Sequence, residues 1–113
     1  MHIDSYKFGN MVVNGINYTN DLKIFPDEVK SNWWRESGHN LSKSDIKDII
    51  DYKPDVLIIG TGKMGVMKVS QEIKNYIRNN GIKELHVEKS AKAVKLYNQE
   101  KNENKVAAFH LTC

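Results

Sequence analysis

Val56-Leu57-Ile58-Ile59 is the longest uninterrupted aliphatic run in the chain, and it leads straight into Gly60-Thr61-Gly62. Four residues are far short of the roughly 20 that a membrane-spanning helix takes. A strand that is aliphatic on both faces has to be covered on both sides, as in a parallel sheet lying between helices. The run therefore predicts the central strand of an α/β sheet, with the glycines as its exit. At roughly 100 to 200 residues per domain, a chain of 113 residues is read as one domain over 1–113.

On both sides of this run, strand-like and helix-like segments alternate. Ser70 suits the cap of a helix with Glu72 in its first turn and Ile73, Tyr76 and Ile77 on one face, and Asn80-Gly81 ends it. Leu85 to Glu88 then reads as a strand, Ser90 as the cap of a helix with Ala91, Val94 and Tyr97 turned inward, and Val106 to Leu111 as the last strand. This is a βαβαβ C-terminal part, whose right-handed crossovers lay helices against the sheet and give an α/β sandwich. Upstream, Ser42 or Ser44 can cap a helix that ends near Tyr52, with Ile46, Ile49 and Ile50 sharing a face and Pro54 just beyond. Ile3 to Phe8 alternates imperfectly up to Gly9-Asn10. Met11 to Val13 and Ile16 to Tyr18 flank Asn14-Gly15, a pair that tolerates positive φ and predicts an N-terminal β-hairpin. That hairpin extends the sheet or packs beside it. Asp21 to Phe25 is a further short strand stopped by Pro26, while Asp27 to His39 shows no steady period and is read as a long ordered loop with room for one helical turn.

Seventeen Lys and Arg against fourteen Asp and Glu leave a net charge of +3. The densest basic stretch, Lys83 to Lys105, is interrupted by Glu84, Glu88, Glu100 and Glu103. It forms no continuous basic stripe, so nucleic acid is not an expected partner. Cys113 is the only cysteine, which rules out an intrachain disulfide and fits a reducing compartment. Asp4 lies where a signal peptide would carry its apolar core, and Cys113 is not placed for prenylation. The expectation is a cytoplasmic protein with no membrane partner.

Gly60-Thr61-Gly62-Lys63-Met64-Gly65 matches the three-glycine spacing of a dinucleotide fingerprint. That motif works only when the following helix begins within the glycines and points its first amides at a pyrophosphate. Here residues 60–69 separate the strand from Ser70, and β-branched Val66 and Val69 stand where the helix would already run. The favoured reading is a tight exit from a buried strand, because glycine takes backbone angles that other residues avoid. A small anion remains a candidate ligand at this strand end, held by Thr61, Gly62 and Ser90 and reached by Arg35 or His39.

Trp33-Trp34-Arg35 and Gly38-His39 place two tryptophans, a guanidinium and an imidazole within one presumed loop. Aromatic residues and arginine dominate binding hot spots. Neighbours in an extended segment point to opposite faces, so the two tryptophans do not easily share one pocket. One covers the sheet and the other is a contact residue, while Arg35 pairs with a carboxylate such as Glu36. No His and Cys spacing resembles a zinc motif, and no serine, histidine and acid are recognisably arranged for nucleophilic catalysis, so no metal, cofactor or catalytic residue is assigned.

Several segments occur in one order over almost the whole chain: Ser5-Tyr6 with Phe8-Gly9, Trp34-Arg35 followed by Gly38-His39, Val56 to Gly60 running into Thr61-Gly62, Tyr97-Asn98, and His110-Leu111-Thr112-Cys113. Together they resemble the uncharacterised single-domain family related to mitochondrial respiratory complex I assembly factor 3 and to the adipogenesis-associated domain protein. The resemblance implies a three-layer α/β fold with a mixed β-sheet, no established cofactor, and a role as an interaction partner. No Arg-rich transit segment like that of the mitochondrial members precedes the first strand, so import is not expected. Two functions are carried forward. The first is a non-enzymatic interaction or assembly module that uses Trp33, Trp34 and Arg35 to contact a protein partner or a second copy of itself. The alternative is a binder or enzyme for a small anionic ligand at Gly60-Thr61-Gly62.

Overall fold

The computed structural model describes residues 1–113. Its first three strands, β1 (Ile3–Lys7), β2 (Asn10–Val13) and β3 (Ile16–Tyr18), form an antiparallel sheet of their own in that order. Asn14 and Gly15 both take positive φ, 47° and 80°, at the two-residue turn that the Asn-Gly pair predicts. The turn is held from outside: Asn14 Oδ1 accepts the His2 amide at 2.8 Å and Asp4 Oδ2 accepts the Gly15 amide at 2.7 Å.

The larger sheet contains β4 (Leu22–Ile24), β5 (Val29–Ser31), β6 (Val56–Thr61), β7 (Glu84–Glu88) and β8 (Lys105–His110), in the order β5-β4-β8-β6-β7. It is mixed, because β6 runs parallel to β7 and β8 while β4 is antiparallel to β5 and β8. A 3₁₀ turn over Lys43–Ile46 leads into α1 (Lys47–Tyr52); α2 (Gln71–Asn79) connects β6 to β7, and α3 (Ser90–Gln99) connects β7 to β8. The first crossover steps outward from β6. The second passes back over β6 to its far side, so two right-handed connections put their helices on opposite faces of the sheet.

Alternation along the strands divides the core. Leu57, Ile59, Val106 and Ala108 pack with Ile46, Ile49, Ile50, Ile73 and Ile77 of the α1 and α2 side. Val56, Ile58, Ala107 and Phe109 pack with Ala93 and Tyr97 of α3 and with Ile3, Met11 and Val13 of the small sheet. The aliphatic run is thus covered on both faces, and the layers are helices, mixed sheet, then α3 beside the three-stranded sheet. No helix of the chain is long and apolar enough to cross a membrane.

Four expectations are corrected. β6 is interior, but the middle strand is β8, because the second crossover carries the chain past β6. The segment Asp27 to His39 has no helical turn and contributes the edge strand β5, which pairs with β4. Its exposed side chains carry no period from which a strand could be recognised. Lys89 rather than Ser90 is the N-cap of α3. Ala93, not Ala91, is the buried alanine of that helix.

Candidate functional site

The chain crosses from β5 toward the sheet in an extended stretch, so Trp33, Trp34 and Arg35 alternate in direction. Trp33 is buried: its backbone amide donates to the Asp21 carbonyl at 2.8 Å, and its Nε1 donates to the Asp45 carbonyl at 3.1 Å. Its ring is flanked by Lys23 Nζ at 5.3 Å and the Arg35 guanidinium at 4.7 Å. Trp34 is 79% exposed. Arg35 turns inward again, with its side chain only 4% exposed.

Burying a guanidinium requires a counter-charge, and Asp21, just ahead of β4, supplies it. Arg35 Nη1 lies 2.8 Å from Asp21 Oδ2 as an ion pair, and Nη2 donates to the Gly38 carbonyl at 3.1 Å. The same carboxylate oxygen lies 2.8 Å from His110 Nδ1, while Asp21 Oδ1 accepts the Leu111 amide at 2.7 Å. His110 Nδ1 also lies 3.1 Å from Arg35 Nη2, so one ring nitrogen touches both members of the ion pair. His110 Nε2 faces the Thr112 hydroxyl at 3.5 Å. Arg35 therefore pairs with Asp21 and not with Glu36, whose own amide donates to Asp45 Oδ1.

The glycine exit lies against the other side of His110. A Cβ on Gly60 would stand 2.5 Å from Phe109 Cδ1 and 2.7 Å from Ser90 Oγ. Gly62 has φ +105°, and a Cβ there would stand 2.7 Å from His110 Cδ2. Ser90 is fully buried; its hydroxyl accepts the Gly62 amide at 2.9 Å and donates to the His110 carbonyl at 2.6 Å. Thr61 is buried as well, donating to the Glu88 carbonyl. Beyond Gly62 the amides of Lys63, Met64 and Val66 donate to the Thr112 and Cys113 carbonyls, and that of Gly65 donates to Gly62. Tyr6 closes the cluster by donating to the Leu111 carbonyl at 3.0 Å; burial raises its pKa, opposed by the hydrogen bond with Ser90 and aided by the charge of Asp21.

The structure thus gathers Thr61, Gly62, Ser90 and, through His110, Arg35. His39 is left out: its side chain is exposed, and it takes part through its carbonyl, which accepts the Lys68 amide at 2.7 Å. A depression of the surface is lined by Asn20, Asp21, Trp33, Trp34, Arg35 and His110, among others, and includes neither Thr61 nor His39. Of the three residues expected at a contact surface, Trp34 alone is displayed. Trp33 and Arg35 are buried beneath it because the extended backbone turns them to the core. The strand-end amides that could cradle an anion already donate within the chain: Gly62 to Ser90 Oγ, Gly65 to the Gly62 carbonyl, and Lys63, Met64 and Val66 to the 112–113 backbone. Asp21 is the residue that sequence reasoning missed. Its only signal is an acid placed directly before a strand that is buried throughout. Chemically, the arrangement fixes a loop: the Asp21 ion pair and the Gly38 carbonyl hold the Arg35 guanidinium, whose Nε and Nη1 are buried without a hydrogen-bond partner, and an exposed indole is left above them.

A family model described as a protein of unknown function (DUF498/DUF598) matches residues 3–111. Among solved structures, the chain is similar to a conserved hypothetical protein from Pyrococcus horikoshii OT3, with 24% identity, full coverage of both chains and a TM-score of 0.87. An outer membrane protein from Bartonella henselae matches at 17% identity over 98% of this chain and 94% of its own, with a TM-score of 0.80. A Bordetella pertussis protein described as a Mth938-like domain matches at 14% identity over 97% and 85%, with a TM-score of 0.64. At these identities the likeness is one of fold.

Proposed function

The chain belongs to the DUF498/DUF598 family of proteins of unknown function, and from that premise we propose that it is a non-enzymatic interaction or assembly module whose contact surface centres on Trp34. The observation that carries this reading is an indole left 79% exposed on a backbone pinned at both neighbours, by the buried Trp33 and the ion-paired Arg35. A large aromatic held in a fixed place contacts a partner with little further loss of conformational freedom, and tryptophan is the residue most enriched among binding hot spots. The resemblance to the relatives of a respiratory complex I assembly factor points to the same class of role. With one cysteine and no disulfide, we place this activity in a reducing compartment, the cytoplasm.

The test is affinity capture from the host lysate with the wild-type chain and with Trp34→Ala, both checked for equal thermal stability. Loss of a hot spot weakens binding by about 2 kcal/mol or more, so partners captured by the wild type should be absent from the variant. Light scattering on the same pair separates self-association from a foreign partner. Equal capture by both proteins would remove Trp34, and this proposal with it.

A further inference from the structure

Across the sheet from Trp34, at the β7 edge, three side chains with metal-binding atoms converge. Glu84 and His86 stand two residues apart on β7 and so share a face. Glu100, the C-cap of α3, is brought over that face by the helix, and the ligand atoms of all three lie within 4.8 Å of one another. We propose that Glu84, His86 and Glu100 form a binding site for a divalent transition-metal cation, a site independent of the Trp34 surface.

Imidazole nitrogen and carboxylate oxygen are ordinary zinc ligands, and three protein ligands leave a coordination position for water. The imidazole favours transition metals over magnesium or calcium, which prefer oxygen alone. Side-chain exposures of 31% for His86 and 51% for Glu84 leave both free to adjust to the roughly 3.4 Å ligand separation that tetrahedral bonds of about 2.1 Å demand, moving apart from their present contact. His86 Nε2 and Glu84 Oε2 already face each other at 2.6 Å, and a cation bound by both atoms would take the place of that direct contact. The Glu100 carboxylate is oriented by the Asn102 amide, which donates to its Oε2 at 3.0 Å, the kind of supporting contact that holds metal ligands in place. Lys105 does not occupy the carboxylates, because its Nζ donates to the Tyr97 and Glu100 carbonyls. Lys101 lines the same depression, and its charge, with that of Lys105 beside Glu100, opposes a metal there.

The experiment titrates ZnCl₂, and separately MgCl₂, into the full chain carrying Cys113→Ser, which removes the only thiol. Calorimetry reads affinity, and the imidazole NMR signals identify the histidine involved. Zinc should bind one to one and move the His86 ring first. His86→Ala and Glu100→Gln should each weaken binding about tenfold or more, and Lys101→Ala should tighten it; magnesium should leave His86 unmoved. Unchanged zinc affinity in His86→Ala, primary shifts at His2 or His39, no binding at all, or equal binding of magnesium would each overturn the assignment. Folding of each variant is read from the same spectra. Glu100→Gln keeps the shape of the site and removes only a charge.

Discussion

A buried guanidinium is stable at position 35 because Asp21, the Gly38 carbonyl and the Trp33 ring surround it. Removing one partner of a buried pair leaves the other charge without compensation. Arg35→Ala should therefore lower unfolding free energy by about 3 to 5 kcal/mol, measured by urea denaturation. Arg35→Lys should recover only part of this, since an ammonium cannot meet Asp21 and Gly38 together as the planar fork does. A loss under about 1 kcal/mol would mean that the pair is a surface interaction. For the same reason Trp34 is the clean probe of the contact surface, and a double Trp34 and Arg35 variant would confuse binding with folding. The adjacency of the three residues is plain in the sequence. Which of them is displayed was partly legible from strand alternation, but the identity of the counter-ion was not, because Asp21 and Arg35 meet only after β4 and β8 pair.

The junction of β6 with α3 shows how one element dictates the sequence of another. Gly60 is required by Phe109 and Ser90, which approach to within 2.7 Å of where its Cβ would stand. Phe109 is fully buried on β8 and Ser90 is held by two hydrogen bonds, so neither yields readily. Gly60→Ala should destabilise by about 1 to 3 kcal/mol through overpacking, read as a lowered thermal midpoint, and an unchanged midpoint would show that α3 shifts without resistance. The sequence marks Gly60-Thr61-Gly62 as a tight exit, and close approach is indeed what the glycines permit. It also marks Ser90 as a helix-start hydroxyl. Its actual partners, the Gly62 amide and the His110 carbonyl, come from β6 and β8 and cannot be inferred from capping chemistry.

At the scale of the whole molecule, Asp48 ties the helical layer to the sheet. Its carboxylate on α1 accepts Lys23 Nζ of β4 at 2.7 Å and Lys30 Nζ of β5 at 3.3 Å. Burial by itself would raise its pKa, but the hydrogen bonds and charges of the two lysines prevail and hold it below the usual carboxylate range. A depressed folded pKa means stability that is fully present above the unfolded value of about 3.9 and is lost as pH falls through the folded value. Asp48→Asn should therefore be less stable than wild type at neutral pH, with the two thermal midpoints converging as the solution is acidified below about pH 4. A gap that stays constant down to low pH would assign the effect to packing and not to charge.

The aliphatic run, the Asn-Gly turn, the capping serine at position 70 and the βαβαβ alternation were determined by the sequence alone, since each depends on residues within a turn or two of one another. Tertiary structure decided that β8 is the middle strand, that the N-terminal strands form a sheet of their own, and that Val29–Ser31 makes an edge. It also decided that Asp21 meets Arg35 and His110 and that Glu100 meets Glu84 and His86. The division has one physical cause. Propensity, capping and periodicity act through neighbouring residues, whereas charge pairing and burial act through space and join residues that only the packing of sheets and helices brings within reach.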